Sequence, residues 1–211
     1  MRKIQKQPEP REWTEYRLTP GAHYEASSEL RQALLEEQGC LCAYCMRRIP
    51  VHDVNSNETT RIDHVLSRRN HPELQLSYSN MVVCCPGAIN TSFHCDKQKG
   101  ENDVTFNLFG DHFFDTLSYS SKDGKLQSSD AESNRQINTL LNLNHALLKR
   151  NRLETLRGVI RMLDRMGWTV STMRHQIDTW DNKDQQGRYK PYNGIVVWFL
   201  KKKMRQVDNR I

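Results

Sequence analysis

Six cysteines fall between positions 40 and 95 of this 211-residue chain, and none occurs after them. Thiols that converge on one point fix the backbone between them, so this clustering constrains the fold more than any other feature. Cys42-x-x-Cys45 has the spacing that turns two thiolates toward one tetrahedral ion. A second set follows, in "VVCC" with Cys84 and Cys85 and in "HCDKQKG" with Cys95. The pattern predicts a structural Zn2+ held by Cys42, Cys45, Cys95 and one of Cys84 or Cys85. Redox chemistry is the competing use of a CxxC pair. It needs a βαβ setting that the flanking sequence lacks, and it leaves the second set without a role. Disulfides are not expected, because the N-terminal "MRKIQKQPEPREW" has no apolar stretch of the kind a secretory leader carries.

Composition narrows the partners. The formal charge of +6 and pI near 9.0 favour a polyanion, since Lys and Arg that neutralise phosphates release counterions. The longest apolar run, "GIVVWFL" at 194–200, is far short of a membrane span. A cytoplasmic protein with no membrane partner is the expectation.

The chain divides by pattern. Residues 1–24 are proline-rich and charged, which predicts an extended arm. A helix is expected over 25–38, capped by Ser27 or Ser28, striped by Leu30, Leu34 and Leu35 and ended by Gly39. Residues 25–115 hold the cysteines and short β-like runs. The polar stretch "SSKDGKLQSSDAES" at 120–133 reads as a linker. Residues 130–211 read as helical, with Asn144 capping a long helix that Gly167 ends and a last helix running from about Gly194. The fold class is α+β: a zinc-stapled module with an N-terminal helix and a helical C-terminal region that caps it or docks a partner.

Between the cysteine sets lies "RIDHVL", where Asp63 and His64 sit side by side in an apolar run. The order Cys42-x-x-Cys45, Asp63-His64, Asn80, Cys85, Cys95-Asp96, Lys99-Gly100 resembles the His-Asn-His (HNH) endonuclease family. The resemblance implies a ββα-metal fold and cleavage of phosphodiester bonds with one divalent ion. Family spacing from Asn80 favours Cys85 over Cys84 as the fourth zinc ligand. Hydrolysis needs a base to deprotonate water, a role that suits His64. It also needs an oxygen ligand for Mg2+ or Mn2+, which suits Asp63. The resemblance makes Asn80 the residue that holds the hairpin loop and orients His64. It makes Asp96 the second ligand of the catalytic ion, where the family usually has His or Asn. The sequence departs from the family in placing nine residues, "PGAINTSFH", between Cys85 and Cys95, where two are common. That insertion makes His94 an alternative to Asp96. Arg68, Arg69, Lys97 and Lys99 flank the expected site and suit phosphate binding. His52, His71, His112, His145 and His175 have no companions at ligand spacing, and surface or packing roles are expected for them.

The whole-chain layout, with its "RKI" start, "LNLN" segment and C-terminal "WFL" helix, is similar to the PtuB-type HNH nucleases of Septu and retron-associated antiviral systems. That similarity implies a PtuA-type ABC/SMC-like ATPase as partner, and in some systems a retron reverse transcriptase with its RNA and DNA. The rival reading is a non-catalytic zinc-stapled module that binds nucleic acid or protein.

Overall fold

The computed structural model describes residues 1–50, 60–89 and 91–208, so His52 lies outside the described residues. Helices α1 (Arg11–Arg17) and α2 (Ser28–Glu37) precede an antiparallel pair, β1 (Arg61–His64) and β2 (Met81–Cys84). A two-residue hairpin, β3 (Ala88–Ile89) and β4 (Ser92–Phe93), leads into α3 (Cys95–Lys99) and then α4 (Asp111–Asp115). A second hairpin, β5 (Leu117–Tyr119) and β6 (Leu126–Ser128), is followed by α5 (Ala131–Arg135) and a π-helical turn over Gln136–Leu140. Three longer helices follow: α6 (Ala146–Met166), α7 (Val170–Asp181) and α8 (Asn193–Asp208). The architecture is mixed α+β with small antiparallel sheets, and no described helix is long and apolar enough to cross a membrane.

Local chemistry accounts for the elements that position the site. Ser27 caps α2 by accepting from the Leu30 N–H, and Leu30, Leu34 and Leu35 bury completely against the fully buried β2. Gly39 leaves the helix at φ +57, where an added Cβ would lie 2.4 Å from the Tyr189 ring. Only glycine combines that left-handed turn with that approach. Residues 189–192 then lie across the segment after α2: the Tyr189 N–H donates to Gly39 O at 3.1 Å and the Tyr192 N–H to Met46 O at 3.1 Å. Strand β1 pairs with β2 in a register that sets Asp63 opposite Val82 and His64 opposite Met81.

Three expectations change. The stretch 1–24 contains α1, whose Trp13 is buried and donates its ring N–H to Leu76 O at 3.0 Å. Met1 and Ile4 also enter the core, so proline content there marks helix and turn boundaries. The polar segment 120–133 holds the β5–β6 turn, β6 and the start of α5; the tip of the turn is exposed while Leu126 is buried. His145, not Asn144, caps α6 by accepting from the Leu147 N–H. Asn144 binds both backbone groups of Leu126 and one nitrogen of Arg152.

Arg152 is buried on α6, and its guanidinium donates to Gly124 O at 2.7 Å, Leu143 O at 2.9 Å and Asn144 Oδ1 at 2.9 Å. It joins α6 to the β5–β6 hairpin and to the turn before the helix. Arg152→Leu strands these acceptors and is expected to cost about 2–4 kcal/mol, read as a lower urea midpoint with an unchanged slope.

Candidate functional site

Two centres meet at α3, which supplies Cys95 to one and Asp96, Lys97 and Lys99 to the other. In the first, the Sγ atoms of Cys42, Cys45, Cys85 and Cys95 lie within 4.8 Å of one another and are all buried. Cys42 to Cys95 is 3.8 Å and Cys45 to Cys85 is 3.7 Å. A zinc tetrathiolate with arms of about 2.3 Å has edges of about 3.8 Å, so the spacing suits the ion. Disulfide sulfurs sit at about 2.05 Å, so these four are not bonded in pairs. Met46 holds a left-handed φ of 64°, and its N–H donates to Cys42 O, closing the tight turn that brings Cys42 and Cys45 together. Cys84 ends β2 outside this group, and burial holds its thiol well above the usual range. The fourth member of the clustered group is therefore Cys85, not Cys84.

His94 also belongs to this first centre. It is fully buried, with Nδ1 at 3.1 Å from Cys95 Sγ and 4.0 Å from Cys85 Sγ. It does not line the cleft that holds Asp63, which removes it as the alternative to Asp96.

The second centre is a cleft of about 540 Å³ lined by Arg61, Asp63, His64, Arg68, Asp96 and Lys97, among others. Asp63 and His64 end β1, where successive side chains point to opposite faces of the strand. Asp63 Oδ2 accepts from the Tyr44 hydroxyl at 2.6 Å and Oδ1 from Lys99 Nζ at 2.7 Å. Burial pushes the Asp63 carboxyl up to about 7, against the pull of Lys99 and with a smaller push from nearby Asp96. His64 Nε2 lies 2.9 Å from Gln75 O. A carbonyl only accepts, so Nε2 carries the hydrogen and Nδ1 keeps its lone pair. Burial lowers the imidazole to about 4, so the ring is neutral at physiological pH. The Tyr24 ring meets it edge-on, with centroids 4.5 Å apart.

The remaining expected residues divide. Asp96 stands in the cleft, and its Oδ2 accepts from Arg61 Nε at 2.6 Å. Asn80 joins the two sides of the strand pair: its Oδ1 accepts from the Leu66 N–H and its Nδ2 donates to Leu66 O, each at 2.9 Å. It thus holds the loop, while Gln75 O orients the imidazole. Arg68, Arg69 and Lys97 are exposed at the cleft. Lys99 is not: it is 1% exposed, and besides Asp63 it donates to His64 O at 2.6 Å. Its charge serves the interior of the site, not a phosphate at the surface. Among the described residues, the four cysteines form the one group of three or more potential ligands close enough to hold an ion.

Tyr44, Arg61, Tyr24 and the Gln75 carbonyl were not singled out by sequence. Tyr44 alone carried a signal, since it lies inside Cys42-x-x-Cys45 and is aimed by that turn. The other histidines take ordinary places: His71 binds Asp103 at 3.1 Å and His145 caps α6. In comparisons with known proteins, no family model and no curated protein matches this chain.

Proposed function

We propose that this chain is a metal-dependent endonuclease of the HNH type that hydrolyses phosphodiester bonds in nucleic acid. One observation carries the reading: a neutral imidazole, held by a backbone carbonyl with Nδ1 free to accept, stands beside two carboxylates in a cleft rimmed by Arg68, Arg69 and Lys97. The pairing of β1 with β2 and the helix α3 that follows supports the ββα arrangement that the resemblance implies. His64 Nδ1 takes the proton from the attacking water, and the Gln75 carbonyl stabilises the charge the ring gains. Asp63 and Asp96 supply the oxygen donors that Mg2+ or Mn2+ prefers, and they would hold the ion. When bound, the ion neutralises charge developing on the phosphoryl and leaving oxygens. Arg61 and Lys99 now balance these carboxylates, so ion binding is in competition with two internal cations. Arg68, Arg69 and Lys97 bind flanking phosphates and set the position of the scissile one.

The similarity in layout to PtuB-type nucleases extends the proposal to an effector of an antiphage complex with an ABC/SMC-like ATPase. The binding-module reading is favoured by one feature, the charge balance of both carboxylates within the chain. Plasmid DNA, single-stranded DNA and RNA incubated with the protein and Mg2+ or Mn2+ decide between them, with the ATPase partner added in parallel. Cleavage that needs the ion and is lost in Asp63→Asn supports the nuclease. Binding without cleavage under all of these conditions transfers the function to the second reading.

A further inference from the structure

The nine residues between Cys85 and Cys95 set this chain apart from its resemblance, and the nuclease reading leaves them without work. Among them, β3 and β4 pair antiparallel between two of the four clustered cysteines. The base of this pair is rigid. Gly87 sits at φ +71, where a Cβ would lie 2.4 Å from His94 O, and the His94 N–H donates to Gly87 O at 2.8 Å. Asn142 Nδ2 donates to Phe93 O at 2.8 Å, pinning the last residue of β4. On this hydrogen-bonded backbone Phe93 is 41% exposed, one of four exposed large apolar residues among the described residues. Lys97 Nζ lies 4.4 Å from its centroid, and the same Lys97 lines the cleft with Asp96 and Arg61. A second pair repeats the arrangement: Arg68 Cζ is 4.5 Å from the centroid of Tyr24, which also touches His64.

Resting on the nuclease reading for the place of the scissile phosphate, we propose that Phe93 with Lys97 is a base-stacking finger. The cleft would then take nucleic acid whose bases are unpaired. In a duplex each base face is covered by its neighbours, so a ring fixed at the surface has nothing to stack on. An unpaired base offers a free face, and a cation held against the ring reaches the phosphate of the same nucleotide. A ring whose backbone is already ordered loses little freedom on binding, so more of the stacking energy appears as affinity.

The test is fluorescence anisotropy of labelled single-stranded DNA, single-stranded RNA and duplex DNA with the full zinc-loaded chain and no added divalent salt. Parent, Phe93→Ala, Phe93→Trp and Lys97→Gln are compared, with zinc content as the control for folding. Phe93→Ala is expected to weaken single-strand binding about 5- to 100-fold and to leave duplex binding unchanged. Phe93→Trp retains the single-strand affinity, while Lys97→Gln weakens every substrate by a similar smaller factor. The DNA and RNA arms show which backbone the cleft accepts. Equal affinity of Phe93→Ala and parent for single strands overturns the finger, as does an equal loss on duplex and single strand. Single-strand binding that depends on Phe93 in a protein that cuts nothing leaves the finger standing and removes the nuclease.

Discussion

Cys85→Ser is expected to lose its zinc and the folded state around it, whereas Cys84→Ala keeps the full zinc content. The two residues are neighbours, yet one thiol belongs to the four-sulfur group while the other, although beside Cys42, is not a member of it. Zinc binding to small modules is worth about 10–16 kcal/mol at neutral pH, comparable to the whole stability of a domain. Losing one of four ligands removes enough of it to open the turn at Cys42–Met46. Tyr44 sits in that turn, so its hydrogen bond to Asp63 goes with the metal. Cys84→Ala removes only a buried sulfur and costs about 1–2 kcal/mol. Elemental analysis per chain and far-ultraviolet circular dichroism read both variants. Zinc retained in Cys85→Ser and lost in Cys84→Ala would exchange their roles.

On the proposed nuclease reading, His64→Ala is expected to lower cleavage about 100- to 10,000-fold, the usual contribution of a positioned base, with thermal stability and zinc content nearly unchanged. The pH profile separates this residue from its neighbour. Burial has already lowered the imidazole to about 4, so His64 stays neutral across the working range and sets no limb near neutrality. Asp63, raised to about 7, is protonated below that pH, and a protonated carboxyl is a poor ion ligand. The rate of the parent therefore rises as pH increases toward 7 at limiting Mg2+, then levels. More Mg2+ moves this limb to lower pH, because the ion competes with the proton. His64→Ala lowers the whole curve and keeps the limb. A limb that ignores the Mg2+ concentration would show that Asp63 is not the titrating ligand.

Much of the site was readable because its chemistry is sequential. The cysteines announce themselves by spacing, and Asp63-His64 stands out as a polar pair in an apolar strand. Helices α2 and α6 follow from leucine periodicity and from Gly39 and Gly167, and α8 from the apolar run that starts at about Gly194. What escaped depends on contacts made across the chain. The partner that orients His64 is a main-chain carbonyl, which any residue at position 75 would supply. Lys99 looks like a surface cation until β1 places Asp63 against it. In the stretch 120–133 little but Leu126 of β6 buries an apolar side chain, so the turn and β6 are as polar as a linker. Helix α7 buries only Met173 and Gln176 fully, which leaves a weak apolar stripe.

The strap of residues 189–192 across the metal-binding turn carries a consequence for synthesis. The backbone partners that Tyr189 and Tyr192 give to Gly39 and Met46 come from about 150 positions downstream. On the ribosome the cysteines emerge early, and all four can meet an ion while most of the helical region is still untranslated. The turn then waits for its cover until the last hundred residues have been made. Contacts of such long sequence separation form late and slowly, since the intervening chain must be ordered first. A nascent chain that binds an ion at the four cysteines is thus expected to pass through a stage in which the turn is still uncovered. The cover over the turn is completed only when residues 189–192 reach Gly39 and Met46.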